Sequence, residues 1–95
     1  RFDYRMTGDR PPWRPVRVYD DGRQVMIEFP AGIAQAEMPP LFVVGASGDA
    51  ELVNYRVRSR HMVIDRLFAV AELRLGTGRR QQRVRIERTG SDRGD

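Results

Sequence analysis

Hydrophobic and polar residues alternate with a period of two along most of the chain between residues 16 and 88. Val16 and Val18 alternate with Arg17 and Tyr19, and Asp20, Asp21 and Gly22 follow. Val25, Ile27 and Phe29 then alternate with Gln24, Met26 and Glu28. An Asp-Gly pair between two alternating segments predicts a hairpin, because glycine accepts the positive φ that a tight turn requires. Residues 41–44 form an unbroken apolar run, short and β-branched, which reads as a strand buried on both faces. Residues 51–58 alternate again, with Val53, Tyr55 and Val57 inward and Leu52, Asn54, Arg56 and Arg58 outward. Ser59 and Arg60 form a two-residue reversal into residues 61–65, where Met62 and Ile64 share a face. Residues 69–75 contain good helix formers, yet their period of two and short length predict a strand. Gly76, Thr77 and Gly78 turn the chain into residues 82–88, with Val84 and Ile86 inward between Arg83, Arg85 and Glu87.

About seven short strands at roughly ten-residue spacing, joined by Gly and Pro turns and with no convincing amphipathic helix, predict an all-β fold. A small antiparallel β-sandwich is the expected class, and periodicity leaves a small barrel open. The expected core comprises Val16, Val18, Val25, Ile27, Phe29, Leu41, Val43, Val53, Tyr55, Val57, Met62, Ile64, Phe68, Leu73, Leu75, Val84 and Ile86. Residues 1–15 carry Gly8, Pro11 and Pro12 without periodicity and read as an extended arm before a domain of residues 16–88. Residues 30–40 hold three prolines and read as a connection with one short helical turn from Ala34 to Glu37, and residues 89–95 as a flexible tail.

At 95 residues the chain has room for one apolar core. It contains no Cys, which excludes disulfides, thiolate metal sites and Cys nucleophiles. All 17 basic residues are Arg, which excludes Schiff-base and P-loop lysine chemistry. The uniformity reads as coding bias rather than 17 separate requirements for a guanidinium. The chain begins at Arg1 without an initiator Met or a signal segment, so a processed product or a domain of a longer protein is expected.

Catalytic chemistry has few residues to use. His61 is the sole histidine, and Ser59 lies two residues from it, but no third group is placed to orient the pair. His61 and Asp65 on one strand would stand about 13 Å apart, too far to share a metal ion. Asp20 and Asp21 read as turn formers carrying solvated charge. No catalytic, metal or cofactor site is expected. Arg56, Arg58 and Arg60 share a strand face, as do Arg83 and Arg85, so an Arg-rich surface for nucleic-acid phosphates is the alternative reading. The lack of interleaved aromatic residues counts against it. Trp13, bounded by Pro12 and Pro15, either plugs an end of the sandwich or anchors a partner.

Several stretches carry a resemblance in their order and spacing. They are Tyr4 to Gly8; Trp13-Arg14-Pro15 leading into Val18-Tyr19-Asp20-Asp21-Gly22; Ile27-Glu28-Phe29-Pro30; and Met38-Pro39-Pro40-Leu41-Phe42-Val43. They continue through Leu52-Val53-Asn54-Tyr55-Arg56-Val57, Met62 to Phe68, and Ala71 to Gly76. With them the chain resembles the C-terminal domain of the TrbG/CagX family of conjugal-transfer proteins, components of the outer-membrane core complex of type IV secretion systems. The resemblance implies a non-catalytic β-sandwich on the periplasmic side of the bacterial outer membrane, with a separate N-terminal domain elsewhere in the protein. It implies packing against a small outer-membrane lipoprotein and a pore-forming, envelope-spanning subunit, in a ring of copies, with nucleic acid not expected as a partner. Some members hold the lipoprotein through a disulfide, which a chain without Cys cannot form. The strand from Val16 to Tyr19 follows the proline-rich arm and buries little, so it is the expected open edge where an extended lipoprotein segment adds. Tyr4, Trp13, Val16, Arg17, Val18 and Tyr19 are the expected partner-binding residues.

Overall fold

The computed structural model describes residues 3–34 and 37–89. Nine strands form two antiparallel sheets. They are β1 (Tyr4–Gly8), β2 (Arg17–Asp20), β3 (Val25–Glu28), β4 (Leu41–Val44), β5 (Ala50–Val53), β6 (Arg56–Arg58), β7 (His61–Ile64), β8 (Val70–Leu75) and β9 (Gln82–Arg88). One sheet has the order β1-β9-β8-β4-β5 and the other β2-β3-β7-β6. The expected sandwich is therefore the observed architecture, and among the described residues helical structure is confined to a 3-10 turn at Gly78–Arg80 and to Glu37, which also has 3-10 conformation. The turn expected from Ala34 to Glu37 falls partly outside the described residues; at its ends the Glu37 N–H donates to the Ala34 carbonyl at 2.8 Å. Residues 90–95 of the expected tail also lie outside them.

Alternation built the core as expected, because one parity of each strand faces the opposite sheet. Val25, Ile27, Phe29, Leu41, Met62, Ile64, Leu73, Val84 and Ile86 are fully enclosed, and Met38, Phe68 and Ala71 complete the buried cluster. Val18, Val43, Val53, Tyr55 and Val57 are half-buried against it. Two members of the expected core are not in it. Val16 is 56% exposed ahead of β2, and Leu75 is 39% exposed at the end of β8, where the sandwich no longer covers the strand.

The stretch expected as an arm is largely built into the fold. β1 pairs with β9 along its whole length, from Tyr4 opposite Arg88 to Gly8 opposite Val84. Gly8 closes the strand at φ +104°, and a Cβ there would stand 2.6 Å from the Arg83 carbonyl oxygen, so only glycine fits. Arg14 then ties the following loop to β1 by donating to the carbonyls of Asp9 at 2.9 Å and Met6 at 3.2 Å.

Residues 51–58, expected as one strand, are two. β5 belongs to the first sheet and β6 to the second, with Asn54 and Tyr55 carrying the chain across. The Tyr55 hydroxyl donates to the Pro39 carbonyl at 3.1 Å and fixes this corner. The two expected tight turns are present. Gly22, at φ +92°, lies between β2 and β3, and Ser59, at φ +55°, lies with Arg60 between β6 and β7.

The run Leu41–Val44 is not buried on both faces. Leu41 is enclosed, but Phe42, Val43 and Val44 are half-buried, and no third layer covers the outer side of β4 among the described residues. Arg74 replaces such a layer in part, its guanidinium lying 4.7 Å over the Phe42 ring.

Candidate partner-binding edge

β2 pairs only with β3 and is an edge strand of the four-stranded sheet. An edge of this kind leaves one side of its backbone hydrogen-bonding capacity open to another chain. The six residues expected at the partner site gather around this edge in different roles. Val16 is exposed, and its N–H donates to the Glu28 carbonyl at 2.8 Å. Arg17 stacks its guanidinium 4.3 Å over the Tyr19 ring and reaches Glu28 at 3.4 Å, so both side chains lie on the outer face. Val18 points inward against the core.

Tyr4 belongs to the fold. Its ring meets Phe68 edge-on with centroids 6.0 Å apart, and its hydroxyl donates to Asp20 Oδ2 at 2.7 Å. Asp20 also accepts the Gly22 N–H at 2.9 Å and lies 3.7 Å from Arg88 Nη2. Tyr4 and Arg88 come from the first sheet and Asp20 from the second, so this cluster clasps the sheets together. Burial and the Asp20 carboxylate push the Tyr4 phenol well above its usual range. Burial alone would raise the Asp20 carboxyl, but Tyr4, the Gly22 N–H and Arg88 together hold it below the ordinary carboxylate range. The expectation that Asp20 carries solvated charge is corrected here: its side chain has no exposure. Asp21 is the turn former, its Oδ1 accepting the N–H groups of Arg23 at 2.9 Å and Gln24 at 2.8 Å.

Trp13 lies where the loop after β1 passes the end of the sandwich. It packs on the core yet borders an open groove of about 460 Å³, lined also by Pro12, Pro30, Ile33 and Leu75. Its indole N–H is buried without a hydrogen-bond partner among the described residues. Such an orphan costs about 1–3 kcal/mol, so the groove is poorly satisfied as it stands. Periodicity did not single out Pro30, Ile33 and Leu75 for this groove, since Leu75 has inward parity and the other two sit in a connection.

The arginines of the alternative reading do not form one surface. Arg56 and Arg58 lie on the outer face of the four-stranded sheet, with Arg60 in the adjoining turn, while Arg83 and Arg85 lie on the outer face of the other sheet. Four of the five are ion-paired. Arg56 meets Asp65 at 2.9 Å, Arg60 meets Glu28 at 3.0 Å, and Arg85 meets Glu72 and Glu87 at 2.9 Å each. Arg83 approaches Glu72 at 3.9 Å. Burial would raise the Glu72 carboxyl, but hydrogen bonds from Arg74 and Arg85 hold it below the usual range. These ladders cross-link neighbouring strands and use up much of the cationic character. Among the described residues, no three His, Asp or Glu side chains converge as metal ligands. His61 faces Glu28, with Nε2 3.8 Å from the carboxylate.

Comparison with known proteins adds the lineage. A family model described as a conjugal transfer protein, CagX, matches residues 1–89. A probable conjugal transfer protein TrbG of Sinorhizobium fredii is 39% identical over 89 residues, covering 94% of this chain and 32% of that protein. The type IV secretion system protein PtlF of Bordetella pertussis is 36% identical over 62 residues, 65% of this chain and 22% of that protein. The chain thus spans about a third of TrbG and less of PtlF. The family model covers all but the last six residues and the TrbG identity extends over the same strands, so this chain belongs to the CagX family of conjugal transfer proteins.

Proposed function

We propose that this domain is a non-catalytic binding module of the type IV secretion outer-membrane core complex, working on the periplasmic side of the bacterial outer membrane. In this reading it holds a small outer-membrane lipoprotein and the pore-forming, envelope-spanning subunit, beside further copies of itself. Family membership supports the setting. Two observations carry the binding role: the unpaired side of β2, and the Trp13 groove, whose indole N–H has no hydrogen-bond partner among the described residues. An extended lipoprotein segment would add its backbone along β2 and seat apolar side chains in the groove. A small shift of Trp13 on binding would give its N–H a carbonyl acceptor and remove the cost of the orphan. With no Cys in the chain, the attachment is entirely non-covalent.

A pulldown from detergent-solubilised envelopes, read by mass spectrometry, is expected to recover a small lipoprotein with the native domain. Calorimetric titration of that lipoprotein is expected to show Trp13→Ala binding about thirtyfold more weakly, a loss of about 2 kcal/mol. Because Trp13 also packs on the core, thermal melts accompany the titration, and affinities are compared at a temperature where both proteins are folded. A Trp13→Ala domain that melts early but binds with native affinity would make Trp13 a plug of the fold and remove the groove from the interface.

A further inference from the structure

The outer face of the four-stranded sheet carries a second feature, at the edge opposite β2. Pairing register sets two rows across this face. One row runs Tyr19, Met26, Val63, Arg56, and the other runs Arg17, Glu28, His61, Arg58. The first has an apolar centre, in which Val63 is buried although it faces away from the core. The second carries one carboxylate, Glu28, between Arg17 and His61, and ends on Arg58. Glu28 answers Arg17 and Arg60 and lies close to His61, whereas Arg58 has no ion pair among the described residues. Between the rows lies a hollow of about 250 Å³, floored by Met26 and Val63 and rimmed by Arg56, Arg58 and His61. Arg56 is held in place by a two-point contact with Asp65, at 2.9 and 3.1 Å, and Gln24 donates to the same carboxylate at 2.6 Å. The Arg56 side of the rim is therefore fixed before any ligand arrives, and β6 beside it is an edge strand with an unpaired side.

We infer that this hollow and the β6 edge form a second docking site, which takes an extended acidic segment of a partner protein. The segment adds along β6 through its main chain, sets one carboxylate on Arg58, and reaches with a long unbranched side chain two residues away past Arg56 toward Val63, which lies about 10 Å from the added strand. Three observations select that ligand. Arg58 supplies an uncompensated guanidinium, whose two-point geometry suits a carboxylate. Asp65 at the rim disfavours a dianion such as a phosphate monoester. The hollow is smaller than the roughly 300–1,000 Å³ of most small-molecule pockets, but it accepts one aliphatic side chain. Arg56 and Arg58 on a short edge also repel the same edge of another copy, so the strand is closed to itself and open to acidic chains.

The test uses fluorescence anisotropy with a labelled nonapeptide whose odd positions are alternately glutamate and methionine, with threonine between them, so that both side chains fall on one face of the strand. Its glutamine and lysine counterparts and a single-stranded oligonucleotide of equal charge are run beside it. The glutamate peptide is expected to bind saturably, the glutamine peptide more weakly and the lysine peptide not at all. Arg58→Ala is expected to weaken the glutamate peptide at least tenfold, while Arg79→Ala, the same charge change in the 3-10 turn between β8 and β9, leaves it unaltered. Amide chemical-shift changes are expected at Tyr19, Met26, Val63 and residues 56–58. Any of four results overturns the proposal: no saturable binding, equal loss in the two variants, shifts confined to the Trp13 groove, or tighter binding of the oligonucleotide through these same residues.

Discussion

Replacing Phe29 with alanine is expected to lower the unfolding free energy by about 3–5 kcal/mol, the range found when a fully enclosed phenylalanine is truncated. Phe29 is the largest of the fully buried side chains and follows β3 directly. Its N–H donates to the Arg60 carbonyl at 2.9 Å, so the turn between β6 and β7 closes over the backbone that carries the ring. That bond prevents the site from collapsing into the cavity left by the deletion, which places the cost in the upper part of the range. A domain of 95 residues has roughly 5–14 kcal/mol of total stability, so the variant retains a small margin at best. Urea denaturation at 25 °C measures the loss directly, and Phe29→Leu, which keeps most of the volume, is expected to cost about 1–2 kcal/mol. A loss below about 1.5 kcal/mol for Phe29→Ala would show that the ring is not at the centre of the core.

Phe29 was legible because burial in a sandwich follows residue parity, and parity is written in the sequence. The same rule explains where the reading stopped. Val53, Tyr55 and Val57 face inward as expected, although β5 and β6 belong to different sheets. A chain that crosses from sheet to sheet through an even number of residues keeps its inward parity, so alternation cannot distinguish the corner from a straight strand. β1 was hidden for another reason. Tyr4 and Met6 pack on the core, but alternating with Arg5 and Thr7 they give a short, weak signal in a stretch that runs into Gly8 and two prolines. Phe42 and Val44 fill outer-face positions with apolar residues, and only the layer count tells that, among the described residues, no third layer covers them.

The candidate site was legible in part. A short strand after a proline-rich stretch pointed to an open edge, and β2 is an edge strand, whereas Trp13 packs on the core and lines a groove that includes no residue of β2. The hollow by β6 was not visible, because it depends on register across four strands. Arg58 differs from Arg56 only in which row it ends, and that is a property of pairing rather than of local sequence. The five arginines considered together as an anion-binding surface share residue type but not a face, since strand order assigns them to opposite sides of the molecule. The two binding edges proposed here lie at opposite ends of one sheet and meet at Tyr19, which belongs to β2 and also lines the hollow toward β6.

Removing the Asp20 carboxylate is expected to cost about 3 kcal/mol, because Asp20→Ala leaves the Tyr4 hydroxyl, the Gly22 N–H and the Arg88 guanidinium without their shared acceptor. Arg88 adds to the loss beyond that of neutral hydrogen bonds, since its guanidinium, 3.7 Å from Asp20, loses its attraction to the carboxylate. The clasp also sets a pH dependence whose sign follows from the depressed Asp20 carboxyl. In the unfolded chain an aspartate takes up its proton near pH 3.9, whereas in the folded domain it does so at a lower pH. Between those two values the unfolded state binds more protons, so stability rises with pH. The contribution is complete above about pH 5 and is lost as the pH falls through the folded value. Asp21, Asp65, Glu72 and Glu87 are held low as well and share in the acid loss, which makes a difference measurement necessary. Asp20→Asn keeps the size of the side chain and removes its titration. Denaturation of both proteins from pH 7 to pH 2 is expected to show native and variant furthest apart above pH 5 and converging below about pH 4. Curves that stay parallel over the whole range would mean that the Asp20 carboxyl titrates alike in the folded and unfolded chains, and that the clasp draws nothing from its charge.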